Sequence, residues 1–362
     1  MSAHTHKPII GITTGDLNGI GLELIIKSLS EHRLLEMFTP VIFASNKSVN
    51  YYRNILGEQN LKFFSTKNIH EIQAATINIF NCWDEEVKIT PGQMTDIGGK
   101  YGIRSLQVAT QCLKDKEIEG MVTNPIHKNN SQTEDFKYTG HTPFLKDKFG
   151  VNDVAMMMCS SELRIALLTE HLPLSEVSKH ITVNAILSKG KIINQSLIKD
   201  FGIDKPKIAI LALNPHASDG GLIGNEEKDI IVPAIEKLRN ENILAFGPYS
   251  ADAFFARSYE KRFDCVLAMY HDQGLIPFKS LDRGMGVNYT AGLPIIRTSP
   301  DHGTAFDIAG KNKADITSFL ESIFMCIDIL RTRKSYIEHT SNRLQKGLSK
   351  SLLKKTKDDI EE

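Results

Sequence analysis

The chain alternates short apolar runs with stretches of helical period. Residues 8 to 14 (PIIGITT), 40 to 45 (PVIFAS), 77 to 83 (INIFNCW) and 119 to 125 (EGMVTNP) are compact apolar runs next to Gly, Asn or Pro, and each predicts a buried strand. Between them the period changes. Leu22, Ile25, Ile26 and Leu29 fall on one helical face after a glycine-rich turn, GDLNGIG (15 to 21), and Ile103, Leu106, Ala109 and Leu113 share another face over 101 to 113. The second half repeats the rhythm: LRIALLTEH (163 to 171), KIAILALNPH (207 to 216) and FDCVLAMYH (263 to 271) each read as a strand that runs out into a histidine. Residues 225 to 238 predict a helix capped by Asn225, with Glu226 and Glu227 in its first turn. Ile316, Phe319, Leu320, Ile323 and Ile327 predict a core helix over 315 to 330. This alternation predicts an α/β fold with a mostly parallel sheet covered by helices.

Composition narrows the classes. A chain of 362 residues, 41% hydrophobic, can bury a large core, and its length suggests about two domains. Its 43 Lys and Arg balance 43 Asp and Glu, so no overall field draws nucleic acid, and a charged ligand must be met locally. The polar start MSAHTHKP and the lack of a long apolar run predict a soluble, cytoplasmic protein with no membrane partner. Cys82, Cys112, Cys159, Cys265 and Cys326 are odd in number and widely spaced, which predicts reduced core thiols. Residues 331 to 357 carry nine Lys and Arg against Glu338 alone, and read as a solvated helix or a frayed end.

Candidate chemistry gathers at the predicted strand ends. In an open α/β sheet ligands bind where the carboxyl ends of strands meet loops, and His171, His216 and His271 all fall there. Three neutral imidazoles leave an open position on a divalent ion, as a catalytic metal needs, although a strand-end histidine is equally at home as a polar exit from the core. Asp272, directly after His271, can ligate, act as a base or orient its neighbour. His141 and Thr142 add donors in the turn TGHTP. Lys279, Asn288 and Arg297 recur every nine residues in a glycine-dense segment, which predicts a loop wrapped round a phosphate or carboxylate. No segment supplies the G-x-G-x-x-G dinucleotide fingerprint.

Five of these stretches together, TGHTP (139 to 143), TEHLPL (169 to 174), LNPHASDGG (213 to 221), YHDQGLIPFK (270 to 279) and NYTAGLPIIRTSPDHGTAFDIAGKNKAD (288 to 315), resemble the 4-hydroxythreonine-4-phosphate dehydrogenase family of pyridoxal phosphate biosynthesis. DHGTAFDIAG (301 to 310) also resembles the cofactor loop of the isocitrate and isopropylmalate dehydrogenases, which bind NAD without a Rossmann fingerprint. The resemblance implies two α/β/α domains of isopropylmalate-dehydrogenase-like architecture with the active site in the cleft between them. Residues 1 to 125 plus about 290 to 362 would form one domain and about 126 to 289 the other. It implies a homodimer that shares its active site across the interface.

By the same resemblance His171, His216 and His271 hold a divalent metal, with at least one donated across the dimer. Zinc suits imidazoles, with magnesium, manganese and cobalt open. His141, Thr142, Lys279, Asn288 and Arg297 would contact a phosphorylated substrate, and Asp301, His302, Gly303 and Asp307 would hold NAD or NADP. The implied reaction oxidises 4-phosphohydroxy-L-threonine to a 3-oxo acid that decarboxylates to 3-amino-2-oxopropyl phosphate, with Asp272 as base or orienter. Sequence leaves open 4-phospho-D-threonate or 4-phospho-D-erythronate as substrate, and more remotely an acyl-phosphate transferase or a non-catalytic phosphate-binding protein. The chain departs from the family's usual pattern at Pro143, where a Glu is usual, at Ser218 and Asp219, where Gly-Glu is usual, and at Leu17 and Asn18, where Pro-Ala is usual.

Overall fold

The computed structural model describes residues 7–134 and 136–341. In chain order the regular elements are β1 (Ile9–Thr13), α1 (Gly21–Leu29), β2 (Thr39–Ala44), α2 (Asn46–Ile55), β3 (Phe64–Thr66), β4 (Asn78–Asn81), α3 (Asp96–Lys114) and β5 (Gly120–Thr123). There follow α4 (His141–Lys148), β6 (Ala155–Cys159), β7 (Arg164–Leu167), α5 (Leu174–His180), α6 (Val183–Lys199), β8 (Lys207–Leu211), α7 (Val232–Asn240), β9 (Leu244–Tyr249) and α8 (Ala251–Ala256). The last are β10 (Cys265–Ala268), α9 (His271–Asp282), β11 (Val287–Ala291), β12 (Arg297–Pro300) and α10 (Thr317–Ser341).

All these strands join one sheet in the order β3-β4-β2-β1-β5-β12-β11-β6-β7-β10-β8-β9. The flank from β3 to β12 is parallel throughout, and so is the flank from β7 to β9. At the centre the direction alternates, because β11 is antiparallel to both β12 and β6, and β6 is antiparallel to β7. The two flanks therefore run in opposite directions. The interior strands are buried on both faces, as β2 is along its whole length. The five cysteines are buried free thiols within this layered core.

Three elements differ from the sequence expectation. The anion segment is not one loop: Lys279 lies on α9, while Asn288 and Arg297 lie on paired strands at the middle of the sheet, with Gly292 (φ +92°) in the turn between them. Helix α3 starts at Asp96 rather than Tyr101, with Thr95 Oγ1 accepting from the Gly98 amide at 3.1 Å. Its first turns are disguised by glycines that are weak helix formers, yet Gly102 has to be small, since a Cβ there would lie 2.5 Å from the Gly15 carbonyl. Residues 227 to 231 form a wide turn of π type before α7, and Asn225 makes no side-chain cap. Glu227 is buried instead of facing solvent, and it accepts from the Leu213 and Asn214 amides at 2.8 Å each.

The basic end is the expected solvated helix as far as residue 341, apart from one buried side chain. Residues 331 to 341 continue α10, and Arg333 is buried there, donating to Asp200, to the Tyr289 hydroxyl at 3.0 Å and to the Leu293 and Pro294 carbonyls. Residues 342 to 362 lie outside the described residues. This buried pair ties the end of α6 to α10 and to β11. Removing one member strands the other charge, so Asp200→Ala should lower unfolding free energy by about 3–5 kcal/mol, measured by denaturant titration.

Candidate active site

The N-terminal loop brings the exits of β1 and β5 together. Gly15 takes φ +65°, and a Cβ on it would sit 2.4 Å from the Pro125 carbonyl, so only glycine permits this approach. The turn buries Asp16, which accepts from Asn130 Nδ2 at 2.6 Å and from the Asn18 amide at 2.9 Å. Burial raises the pKa of its carboxyl, and these hydrogen bonds partly offset the shift. Sequence reasoning passed over Asp16 and Asn130, whose only signal is a carboxylate in a glycine-rich turn. The Asn18 side chain is structural: its Nδ2 donates to Thr95 Oγ1 at 2.8 Å and its Oδ1 accepts from the Thr90 amide at 2.8 Å.

On the central strands the predicted anion residues are partly brought together. Arg297 is buried at 3% exposure, donating to Thr123 Oγ1 at 2.8 Å and to Thr290 Oγ1 at 3.3 Å. Both partners are neutral, so burial lowers its pKa to about 10 with no carboxylate paired to it among the described residues. His141, first residue of α4, has a buried Nε2 without a hydrogen-bond partner. Burial first, and Arg297 second, hold its pKa well below the usual imidazole value, so the ring is neutral. Asn288 stands two residues before Thr290 on β11, hence on the same face, and its buried Oδ1 also lacks a partner. Thr142 follows His141 in α4, half-buried. Lys279 reaches across to Asp301 at 3.3 Å, and burial raises the Asp301 carboxyl against that pull. A buried cation, a neutral imidazole and an open amide oxygen form a cradle for an anion that also carries a hydroxyl or ammonium.

The three predicted metal ligands leave adjacent strands. β7, β10 and β8 are parallel neighbours, so His171, His216 and His271 emerge from one edge of the sheet. Thr169 Oγ1 donates to the Met269 carbonyl at 2.7 Å, and Gln273 bridges the Ala212 carbonyl and the Met269 amide at 2.6 and 2.7 Å, so the exits are tied together. The rings of His171 and His271 lie 5.7 Å apart. Partial burial, then Lys128 and His271, lower the pKa of His171 and favour the neutral form that ligates metal. His271 Nδ1 is 2.7 Å from Asp272 Oδ1, which leaves Nε2 free to face a ligand; Asp272 is otherwise exposed and orients this ring. His216 does not join the pair, and no three His, Cys, Asp or Glu side chains among the described residues stand close enough to hold one ion. It sits in a turn where residues 216 to 220 all take positive φ, near Asp252. Two of the three imidazoles thus stand together, and the third is held apart.

Between β12 and α10 the chain crosses 301 to 316 without strand or helix. His302 Nε2 is buried and unpartnered, Gly303 faces open space, and Asp307 is exposed. An orphaned ring nitrogen beside a glycine with room around it suits a polar cofactor more than a finished core.

A family model described as pyridoxal phosphate biosynthetic protein PdxA matches residues 36–326. The chain belongs to the PdxA family. It is 42% identical over 342 residues to a 4-hydroxythreonine-4-phosphate dehydrogenase of Bacteroides thetaiotaomicron, covering 94% of each chain. It is 36% identical over 331 residues to a protein of Oceanobacillus iheyensis named for D-threonate 4-phosphate dehydrogenase activity, covering 90% of this chain and 99% of that one. Among solved structures, the 4-hydroxythreonine-4-phosphate dehydrogenase of Klebsiella pneumoniae superposes with a TM-score of 0.78 at 33% identity, over 91% of this chain and 99% of that one. The α/β architecture is therefore that of the PdxA proteins.

Within this PdxA chain the buried imidazoles make a pH signature. Burial lowers the pKa of His302 as it does that of His141. In the unfolded chain both rings return to the ordinary imidazole value of about 6.5. Below that pH the unfolded state takes up protons that the folded state refuses, so stability should be full above about pH 6.5 and fall as the solution is acidified. Denaturant midpoints at pH 7.5 and 5.5 check this; His141→Gln should flatten the difference.

Proposed function

We propose that the chain is a nicotinamide-dependent dehydrogenase that oxidises the C3 alcohol of 4-phosphohydroxy-L-threonine, giving a 3-oxo acid that decarboxylates to 3-amino-2-oxopropyl phosphate. The observation that carries this reading is the buried, unpaired Arg297, with His141 and Asn288 open beside it, in a chain of this family. Arg297 and Lys279 bind the phosphate or carboxylate; neutral His141 and Asn288 meet hydroxyl and amine groups. Loop 301 to 307 receives NAD or NADP through Asp301, His302, Gly303 and Asp307. The two halves of the sheet act as domains that close over the bound molecules and exclude water.

His171 and His271, with His216, would hold the divalent metal, and the ion when bound supplies Lewis acidity at the alcohol oxygen and during loss of carbon dioxide. Asp272 keeps a proton on His271 Nδ1 and so fixes the ring for ligation. Exposed apolar side chains follow each of the three histidines, Leu172 and Leu174, Leu222 and Ile223, and Ile276. Such a patch suits a second copy of the chain, which would cover it and complete the site.

D-threonate 4-phosphate is the second reading, favoured by the Oceanobacillus relative. It differs by a hydroxyl where the first substrate has an amine. Assay of the purified chain with both compounds, either dinucleotide and added zinc, magnesium or manganese separates them. Reduction of dinucleotide with neither compound would defeat both. Arg297→Ala should raise KM for the phosphorylated substrate by about tenfold or more, since a charge-assisted bidentate contact is lost.

Burying a carboxylate at a subunit interface is costly, so Ile276→Glu should shift the chain toward monomer in analytical ultracentrifugation and lower its metal content. An unchanged sedimentation profile would remove the apolar patch as the interface.

A further inference from the structure

The segment 301 to 316 is long for a stretch without regular structure, and its backbone groups need partners from elsewhere. Helix α1 supplies them. Glu23, in the first turn of α1 and 0% exposed, accepts from the Gly310 amide through Oε2 at 3.0 Å and from the Ala314 amide through Oε1 at 2.9 Å. One turn on, Lys27 Nζ donates to the Ala314 carbonyl at 2.7 Å. Just before α1 the Ile20 amide donates to the Thr304 carbonyl at 3.1 Å, and at the near end the Asp301 amide donates to Ser318 Oγ at 2.9 Å. The segment is pinned at 301, 304, 310 and 314. His302, Gly303 and Asp307 hang between the pins.

Glu23 is an expensive way to hold a loop. A fully buried carboxylate is tolerated only when its oxygens are well bonded, and here both are satisfied by backbone amides, helped by the positive end of α1. A neutral Gln cannot reproduce this, because its NH2 group would face one of the two N–H donors.

We propose that Glu23, supported by Lys27, is a positioning residue for the nicotinamide dinucleotide: it pre-orders 302 to 309 so that binding does not have to bear the cost of ordering the loop. The proposal rests on the reading of that loop as the dinucleotide site. A looser loop is binding-competent for a smaller fraction of the time, and apparent affinity falls by that fraction.

The test is a fluorescence titration of the purified full-length chain with NADH and NADPH, alongside hydrogen exchange at residues 303 to 314 and the KM of each substrate. Glu23→Gln should weaken dinucleotide binding by about tenfold, speed exchange at Gly310 and Ala314, and leave KM for the phosphorylated substrate within about twofold. Lys27→Met, which keeps the Glu23 contacts, should do the same by a smaller factor of about two to five. It stands alone if Glu23→Gln fails to fold. Unchanged dinucleotide affinity in Lys27→Met and in folded Glu23→Gln overturns the proposal, even if thermal stability drops. Asp307→Ala and His302→Ala separate the two layers. If these weaken binding while the α1 variants do not, the positioning role alone is wrong; if none of the four does, the loop is not the dinucleotide site and both readings fall.

Discussion

Because β11 runs against both of its neighbours, the chemistry of this molecule is drawn to the middle of its sheet. A sheet parallel throughout would place all its strand exits on one edge. Here the two flanks point opposite ways, and the strands that join them carry Asn288, Thr290 and Arg297 on adjoining positions. Arg297 can be buried because the ladder fixes its start between β5 and β11, where Thr123 and Thr290 each offer a hydroxyl. The same arrangement puts β7, β10 and β8 side by side, so three separate stretches of chain release histidines at one edge.

Buried charge is handled in two distinct ways. Asp200 and Arg333 neutralise each other, with Tyr289 and Ser196 closing the remaining bonds, and this group serves packing. Among the described residues Arg297 and Glu23 form no ion pair and rely on hydroxyls or amides. Glu23 is satisfied by the backbone it holds. Arg297 keeps donors to spare and neighbours with open polar atoms, which marks it as the group waiting for a ligand. The zero net charge of the chain conceals this contrast, since it sums groups that differ in burial far more than in sign.

Much of the fold was legible because buried parallel strands are written as unbroken apolar runs, as in 8 to 14 and 207 to 211. The central hairpin was not. Its strands carry Asn288, Thr290, Arg297 and Ser299 and are broken by Gly292, so polarity made a sheet core look like a surface loop. Glu227 and Arg333 were misplaced for a related reason: charged residues on helices are usually solvated, and only the tertiary partner reveals the exception. Of the candidate site, the residue types and the exit of three histidines from strand ends were readable, but not that His216 stays apart from the other two. Asp16, Gln273 and Glu23 were not, since each acts by bonding backbone brought near by folding.

His216 is the position that neither strand pairing nor helix packing decides. It leaves β8 through a turn in which six successive residues, 216 to 221, take positive φ, four of them carrying a Cβ. Left-handed backbone costs roughly 1–2 kcal/mol for each such residue, so the turn is strained. Glu227 offsets part of that by holding Leu213 and Asn214, and Ser218 is packed inward at 3% exposure. Ser218 adopts this conformation with a Cβ, which a glycine would not have to accommodate. Strain of this kind persists where the surroundings over-determine a shape, and it gathers at sites of function. Leu222 and Ile223, directly after the turn, are exposed apolar side chains. The turn that holds His216 apart from His171 and His271 therefore combines strained backbone with an apolar edge open to solvent.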